Sequence, residues 1–247
     1  MILLTIFASC TDKESNKQAY HWPDVTAPIA EKVPFKRVIH GDTVVDNYFW
    51  MIDYFKKGPD SNNVVDYLNA ENTYLDTMMS GTKEFQKSLF NELKARIKEK
   101  DESVPYLKNG YYYYTRTEEG KQYYKYCRKK GSLDAPEEVL LDVDKMAEGH
   151  SYYSATGFNI SPDNKLMAYG VDTVSRREYV IYIKNLVTGE LSKEIIKGTT
   201  GSVAWANDNK TFFYTAKNPV TLLTEKIMKH RLGEDVVKDQ IAYEEKD

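Results

Sequence analysis

Few residues in this chain can make or break bonds. There are four histidines, His21, His40, His150 and His230, and two cysteines, Cys10 and Cys127. His40 stands close to Asp42 and Asp46. A His–carboxylate pair can hold an imidazole ready to take a proton, but no nucleophile is supplied nearby. The segment 40–50, dense in Asp, Tyr and Trp, reads instead as a structural docking segment whose polar tips need partners. No Gly-x-Ser-x-Gly occurs, so the turn that exposes a nucleophilic serine is not written locally. Neither cysteine has a second Cys or His at ligand spacing, which excludes a disulfide framework and a zinc site; no metal or cofactor is expected. Cys127, in Tyr126-Cys127-Arg128, reads as a small buried filler of a strand. Arg176-Arg177 suits a peptide carboxylate or an acid across a domain contact, and more simply a surface ion pair. No residue is therefore assigned a catalytic, cofactor-binding or metal-binding role.

Cys10 has a different context. Residues 1–7 are apolar, Ala8-Ser9-Cys10 follows, and the text then turns polar at once. This resembles a bacterial lipoprotein signal, in which the cysteine is lipidated after cleavage, although the usual basic start is missing. The expectation is lipidation at Cys10 and a place in the cell envelope facing the periplasm, the alternative being the cytoplasm. Membrane contact would come only through that lipid, because the segment is too short to span a bilayer as a helix.

The elements that must position these residues follow from patterning. The 247 residues are 41% hydrophobic and 29% charged, with 34 basic against 37 acidic residues and a net charge of −3. That balance argues against nucleic acid as a partner. Twenty tyrosines beside nine phenylalanines favour half-buried pleated surfaces. The phrase Ile160-Ser161-Pro162-Asp163-Asn164-Lys165 returns as Trp205-Ala206-Asn207-Asp208-Asn209-Lys210, each copy leading into an apolar run that ends in Tyr. Asn164 and Asn209 lie 45 positions apart, and a weaker copy, Lys108-Asn109-Gly110, precedes them. A polar turn feeding a buried strand at such a period marks propeller blades. Tyr179-Val180-Ile181-Tyr182-Ile183 is apolar on both faces, as a strand between two neighbouring sheets should be.

The fold class is therefore mainly β: a partial β-propeller of about three blades, where closed rings have about four to eight. Two open ends suggest a piece of a longer protein. An extended arm with Pro23, Pro28 and Pro34 and two helices precede the array. The first helix covers 62–79, capped by Ser61 or Asn62 and closed by Gly81. The second runs over 83–99 with Phe85, Leu89, Leu93 and Ile97 at four-residue steps, and both need an apolar partner. The expected domains are 1–19, signal and linker; 20–102, arm and helices; and 103–247, incomplete propeller.

Several of these segments together resemble one family. Ile39 to Trp50 looks like the N-terminal signature of the prolyl oligopeptidase family of serine peptidases, and within it of the oligopeptidase B group. Asp66 to Asn72 resembles its first helix; Ser161-Pro162-Asp163-Asn164, Ser175 to Tyr179, Asn185 to Gly189, Val203 to Asp208 and Pro219 to Leu223 resemble its blades in order. Met51 departs from the leucine usual after the tryptophan. The resemblance implies an α/β-hydrolase domain with a Ser-Asp-His triad, capped by a seven-bladed propeller that admits only short peptides. It also implies that the N-terminal helices pack on that hydrolase domain, and that cleavage follows Arg or Lys. The partners it implies are short basic peptides and the protein's own C-terminal hydrolase domain, with residues 1–247 inactive alone. The competing reading is a non-catalytic propeller scaffold.

Overall fold

A change from helical to β periodicity near residue 100 divides the chain into two compact units, Met1–Ile97 and Lys98–Asp247. The computed structural model describes residues 20–246.

In the first unit, residues 20–34 form neither helix nor strand. β1 (Phe35–Ile39) and β2 (Asp42–Asp46) make a hairpin around His40-Gly41, both with positive φ. A short α1 (Asp53–Lys56) leads to α2 (Ser61–Met79) and α3 (Lys83–Ala95). Two expectations are corrected here. The N-cap of α2 is Asp60, whose carboxylate receives the Asn63 side-chain amide rather than a backbone N–H. Gly81 does not close the helix in a left-handed conformation, because the chain passes straight through a 3₁₀ turn, Ser80–Thr82, into α3. Its smallness serves packing instead: a Cβ there would fall 2.6 Å from the Tyr20 hydroxyl. Phe85, Leu89, Leu93 and Ile97 stay exposed, by 68, 42, 55 and 66%.

The second unit is a β array. β3 (Tyr106–Lys108), β4 (Tyr111–Arg116), β5 (Lys125–Lys130) and β6 (Glu137–Asp142) form a four-stranded antiparallel meander. After a short α4 (Val143–Ala147) come β7 (Ser154–Ile160), β8 (Leu166–Asp172), β9 (Tyr179–Asn185), β10 (Leu191–Trp205), β11 (Thr211–Lys217), β12 (Thr224–Arg231) and β13 (Gln240–Glu244). These pair in sequence order as one seven-stranded sheet. Residues Leu191–Trp205 form a single 15-residue strand. β10 pairs with β9 as far as Thr199 and with β11 from Thr199 onward, with register breaks at the crossing. It is thus the last strand of one blade and the first of the next. Three blades result, and the sheets do not close into a ring.

Glycine makes the crossing possible. Gly201, with φ +86°, lies against both β7 and β8. A Cβ on Gly157 would sit 2.1 Å from the Gly201 carbonyl oxygen, and one on Gly170 would sit 2.3 Å from the Gly201 Cα. Backbone meets backbone here, leaving no side chain able to yield.

The middle blade is buried on both faces, as the two-sided apolarity of its third strand predicts. Met167, Tyr169 and Val171 of β8 join Tyr113, Leu140, Leu141 and Val143 in one cluster. Ala168 of β8 and Ile181 and Ile183 of β9 face the other way, toward Val203, Phe212 and Tyr214. The period-2 alternation of strands delivers this partition.

Gly157→Ala should therefore destabilise the chain by about 3 kcal/mol, combining overpacking with the cost of a left-handed alanine. Gly189→Ala, at φ +79° with open space around it, should cost about 1 kcal/mol. Urea denaturation midpoints of the two variants check the ratio.

Candidate functional site

Three turns join the first and second strands of successive blades, and each puts an asparagine in the left-handed region: Asn109 at φ 48°, Asn164 at 62° and Asn209 at 59°. Asparagine visits this region more readily than most residues because its short amide can bond locally. In the second turn the Ser161 hydroxyl donates to Asp163 Oδ1 at 2.6 Å and accepts the Leu166 N–H at 3.0 Å. In the third, Asp208 accepts the backbone N–H of Lys210 at 3.0 Å and of Thr211 at 2.8 Å, and the Thr211 hydroxyl at 2.7 Å. The Lys210 amide first, then the two Thr211 donors, hold the Asp208 carboxyl down at about 2.

The turns are also tied to one another. The Asn164 side-chain amide donates to the Asn109 carbonyl at 3.0 Å, and Asn209 Oδ1 accepts the Asp163 N–H at 2.8 Å. Tyr113 donates to Asn164 Oδ1 at 3.3 Å, and Arg128 to the Asn164 carbonyl at 3.0 Å. Polar capacity at this end of the array goes into holding blades in register.

The candidates from the sequence are dispersed. Cys10 lies outside the described residues. His40 caps the β1–β2 hairpin, whereas Asp46 stands at its far end, taking Arg37 at 3.3 Å and the Tyr48 N–H at 3.0 Å. The polar tip of Trp50 finds the Glu31 carbonyl at 3.0 Å, and Phe49 stacks on Phe35. Cys127 is 1% exposed; burial first, then Glu137, pushes its thiol up to about 11. A neutral, enclosed thiol is a packing residue.

Arg176 and Arg177 sit in the β8–β9 loop. Buried Asp172 accepts the Val174 and Arg177 N–H groups at 2.8 and 2.7 Å, which fixes Ser175 and Arg177 at positive φ. Neither guanidinium forms an ion pair among the described residues, in contrast to the surface ion pair that the sequence favours, since Asp172 spends both oxygens on backbone.

One histidine cluster was not legible from motifs. His230 on β12 is fully buried, with Nδ1 2.6 Å from Asp239 Oδ1. The Tyr214 hydroxyl donates to Asp239 Oδ2 at 2.8 Å, and burial, then this carboxylate, push that phenol well above its usual range. His230 Nε2 faces Glu194 Oε1 at 3.7 Å and has no hydrogen-bond partner. This is two-thirds of a triad in outline, yet no serine, threonine or cysteine among the described residues is hydrogen-bonded to a histidine. The signal available was alternation, because His230 shares a sheet face with Met228, in the inward row. No cluster of three or more metal-ligating side chains occurs among the described residues.

The first blade carries an open recess of about 660 Å³ whose walls include Lys98, Lys100, Asp101, Glu102, Arg116, Glu118 and Glu119. Asp101 pairs with Lys98 at 2.7 Å. Glu118 is pulled to about 2 by Lys125 and then Arg116, and Arg116 also grips Glu137 at 2.9 Å. Glu102 and Glu119 form no ion pair among the described residues, although, after Asp101, the charge of Glu102 helps to hold the Lys98 ammonium above its usual range.

Comparison with known proteins gives these features a context. Residues 28–247 match the family described as prolyl oligopeptidase, N-terminal beta-propeller domain. The chain is similar to dipeptidyl aminopeptidase BI of Pseudoxanthomonas mexicana, 37% identical over 234 residues, which cover 89% of this chain and 32% of that protein. It is 33% identical over 227 residues to Protease 2 of Moraxella lacunata, again covering 89% and 32%. The structure of oligopeptidase B from Leishmania major superimposes with a TM-score of 0.78 at 29% identity, covering 90% of this chain and 33% of that one. The chain spans about a third of the length of the curated relatives it matches.

The Asp208 turn yields a pH prediction. Its carboxyl sits at about 2 in the fold against about 3.9 unfolded. The stabilisation is full above the unfolded value and disappears as pH falls through about 2. Asp208→Asn should therefore flatten the loss of thermal stability between about pH 4 and pH 2, as read from melting temperatures over that range.

Proposed function

This chain belongs to the prolyl oligopeptidase family as its N-terminal β-propeller portion, and from that premise we propose that it gates the active site of a serine-type oligopeptidase. The family match over residues 28–247 carries this reading. A triad in a following α/β-hydrolase domain would do the bond-breaking, and the propeller would admit short peptides and exclude folded chains. Residues 1–247 alone would then be inactive.

Several features support the finer parts of the proposal. The exposed row Phe85, Leu89, Leu93 and Ile97 offers an apolar face on which the hydrolase domain would pack. A preference for cleavage after Arg or Lys rests on the likeness to oligopeptidase B and on charge complementarity with acidic residues outside this chain. A second reading, removal of dipeptides from a free N-terminus, draws on the relative that bears that name. Lipidation at Cys10 would hold the enzyme on the periplasmic side of a membrane; replacing Cys10 by Ser should move it to the soluble fraction, and unchanged fractionation would reject the anchor.

The protein that carries this chain together with its hydrolase domain should hydrolyse an N-blocked peptidyl-arginine coumarylamide at least tenfold faster than the alanine analogue. Residues 20–247 alone should give no rate above background. Equal rates on both blocked substrates would remove the basic preference, and faster release from an unblocked dipeptidyl substrate would select the second reading. Turnover by residues 20–247 alone would overturn the gating role.

A further inference from the structure

Between the first and second blades lies a cavity of about 260 Å³. Tyr113, Tyr126 and Leu140 line it from the first blade, and Phe158, Ile160 and Met167 from the second. Met167 is fully buried, whereas Ser103 at the margin is exposed, so the space runs from the surface into the core. An engineered apolar cavity of about 150 Å³ in another protein takes up benzene. Drug-sized ligands need about 300 Å³ or more. The volume here fits one ring with a small substituent.

The chemistry of the lining is equally restrictive. Tyr113 is already bonded to Asn164 at 3.3 Å, Tyr114 to Glu137 at 2.5 Å, and Ser103 Oγ accepts the Thr115 N–H at 2.9 Å. The one buried side-chain polar atom left without a partner among the described residues is His230 Nε2, which belongs to another blade. No charged side chain lines the cavity, so a ligand bringing a full charge would lose its water without meeting a countercharge. Aromatic rings and a thioether in the walls offer edge-to-face and sulfur–ring contacts.

We infer that this inter-blade cavity is a binding site for a single uncharged aromatic ring. The ring is either a free small molecule or the side chain of an aromatic residue in a peptide, and both present the same chemistry to the walls.

Saturation-transfer NMR on the full chain tests this, with toluene, benzoate and N-acetyl-phenylalaninamide as probes. Toluene should bind with a Kd of about 1 mM or tighter, and benzoate at least tenfold more weakly. Ile160→Phe from the wall and Ser103→Phe from the exposed margin should each weaken toluene at least tenfold by filling the space. If Ile160→Phe fails to fold, Ser103→Phe decides. Binding of N-acetyl-phenylalaninamide as tight as that of toluene would support the site with a peptide as source; binding of toluene alone would support it with a free molecule. Undetectable toluene binding, equal affinity for benzoate, or toluene affinity unchanged in a folded filling variant would overturn the proposal.

Discussion

Blade register in this array is held by a left-handed asparagine whose side chain reaches the backbone of the preceding turn. Apolar burial supplies most of the driving force for packing one sheet on another, but it is non-directional and tolerates sliding. A hydrogen bond of about 1 kcal/mol net is small beside that, yet it is satisfied at one register only. Asn164 bonds to Asn109, and Asn209 to Asp163, so the same device acts at both interfaces. The turn must be left-handed for the amide to point backwards, which explains why Asn-Gly or Asp-Asn-Lys occurs at each place.

The two interfaces are otherwise unlike. The first and second blades are separate sheets joined by side-chain contacts such as Lys184 to the Leu140 carbonyl, at 2.8 Å. Burial holds that lysine below its usual range, which marks the contact as partly desolvated. The second and third blades share β10 and touch backbone to backbone around Gly201. Space is left over at the first interface and none at the glycines of the second.

Much of this was legible beforehand because it is local. The Asp-Asn-Lys turns, their weaker copy at Asn109-Gly110 and the two-sided apolarity of Tyr179 to Ile183 are written within a few residues each. The features that escaped are contacts between distant segments. Gly157, Gly170 and Gly201 look like ordinary strand interruptions until the strands are stacked. His230 and Asp239 lie nine positions apart with no motif between them, and only the sheet brings the Tyr214 hydroxyl to the same carboxylate. The helix does stop before Gly81, but the left-handed cap expected there is absent, and the sequence does not announce that Tyr20 packs against that glycine. Arg176 and Arg177 read as ion-pair partners because the carboxylate beside them, Asp172, was not known to be consumed by backbone.

The shared strand β10 has a consequence for how such a molecule can be taken apart. A blade is usually regarded as a module, but the boundary between the second and third falls inside a continuous 15-residue strand. Cutting or splicing there would strip two sheets of an edge at once. The stretch 143–153, which holds α4 and contributes no strand, is the place where one blade ends before the next begins. Segment exchange among relatives, by recombination or at the bench, therefore has a natural joint after the first blade and none after the second.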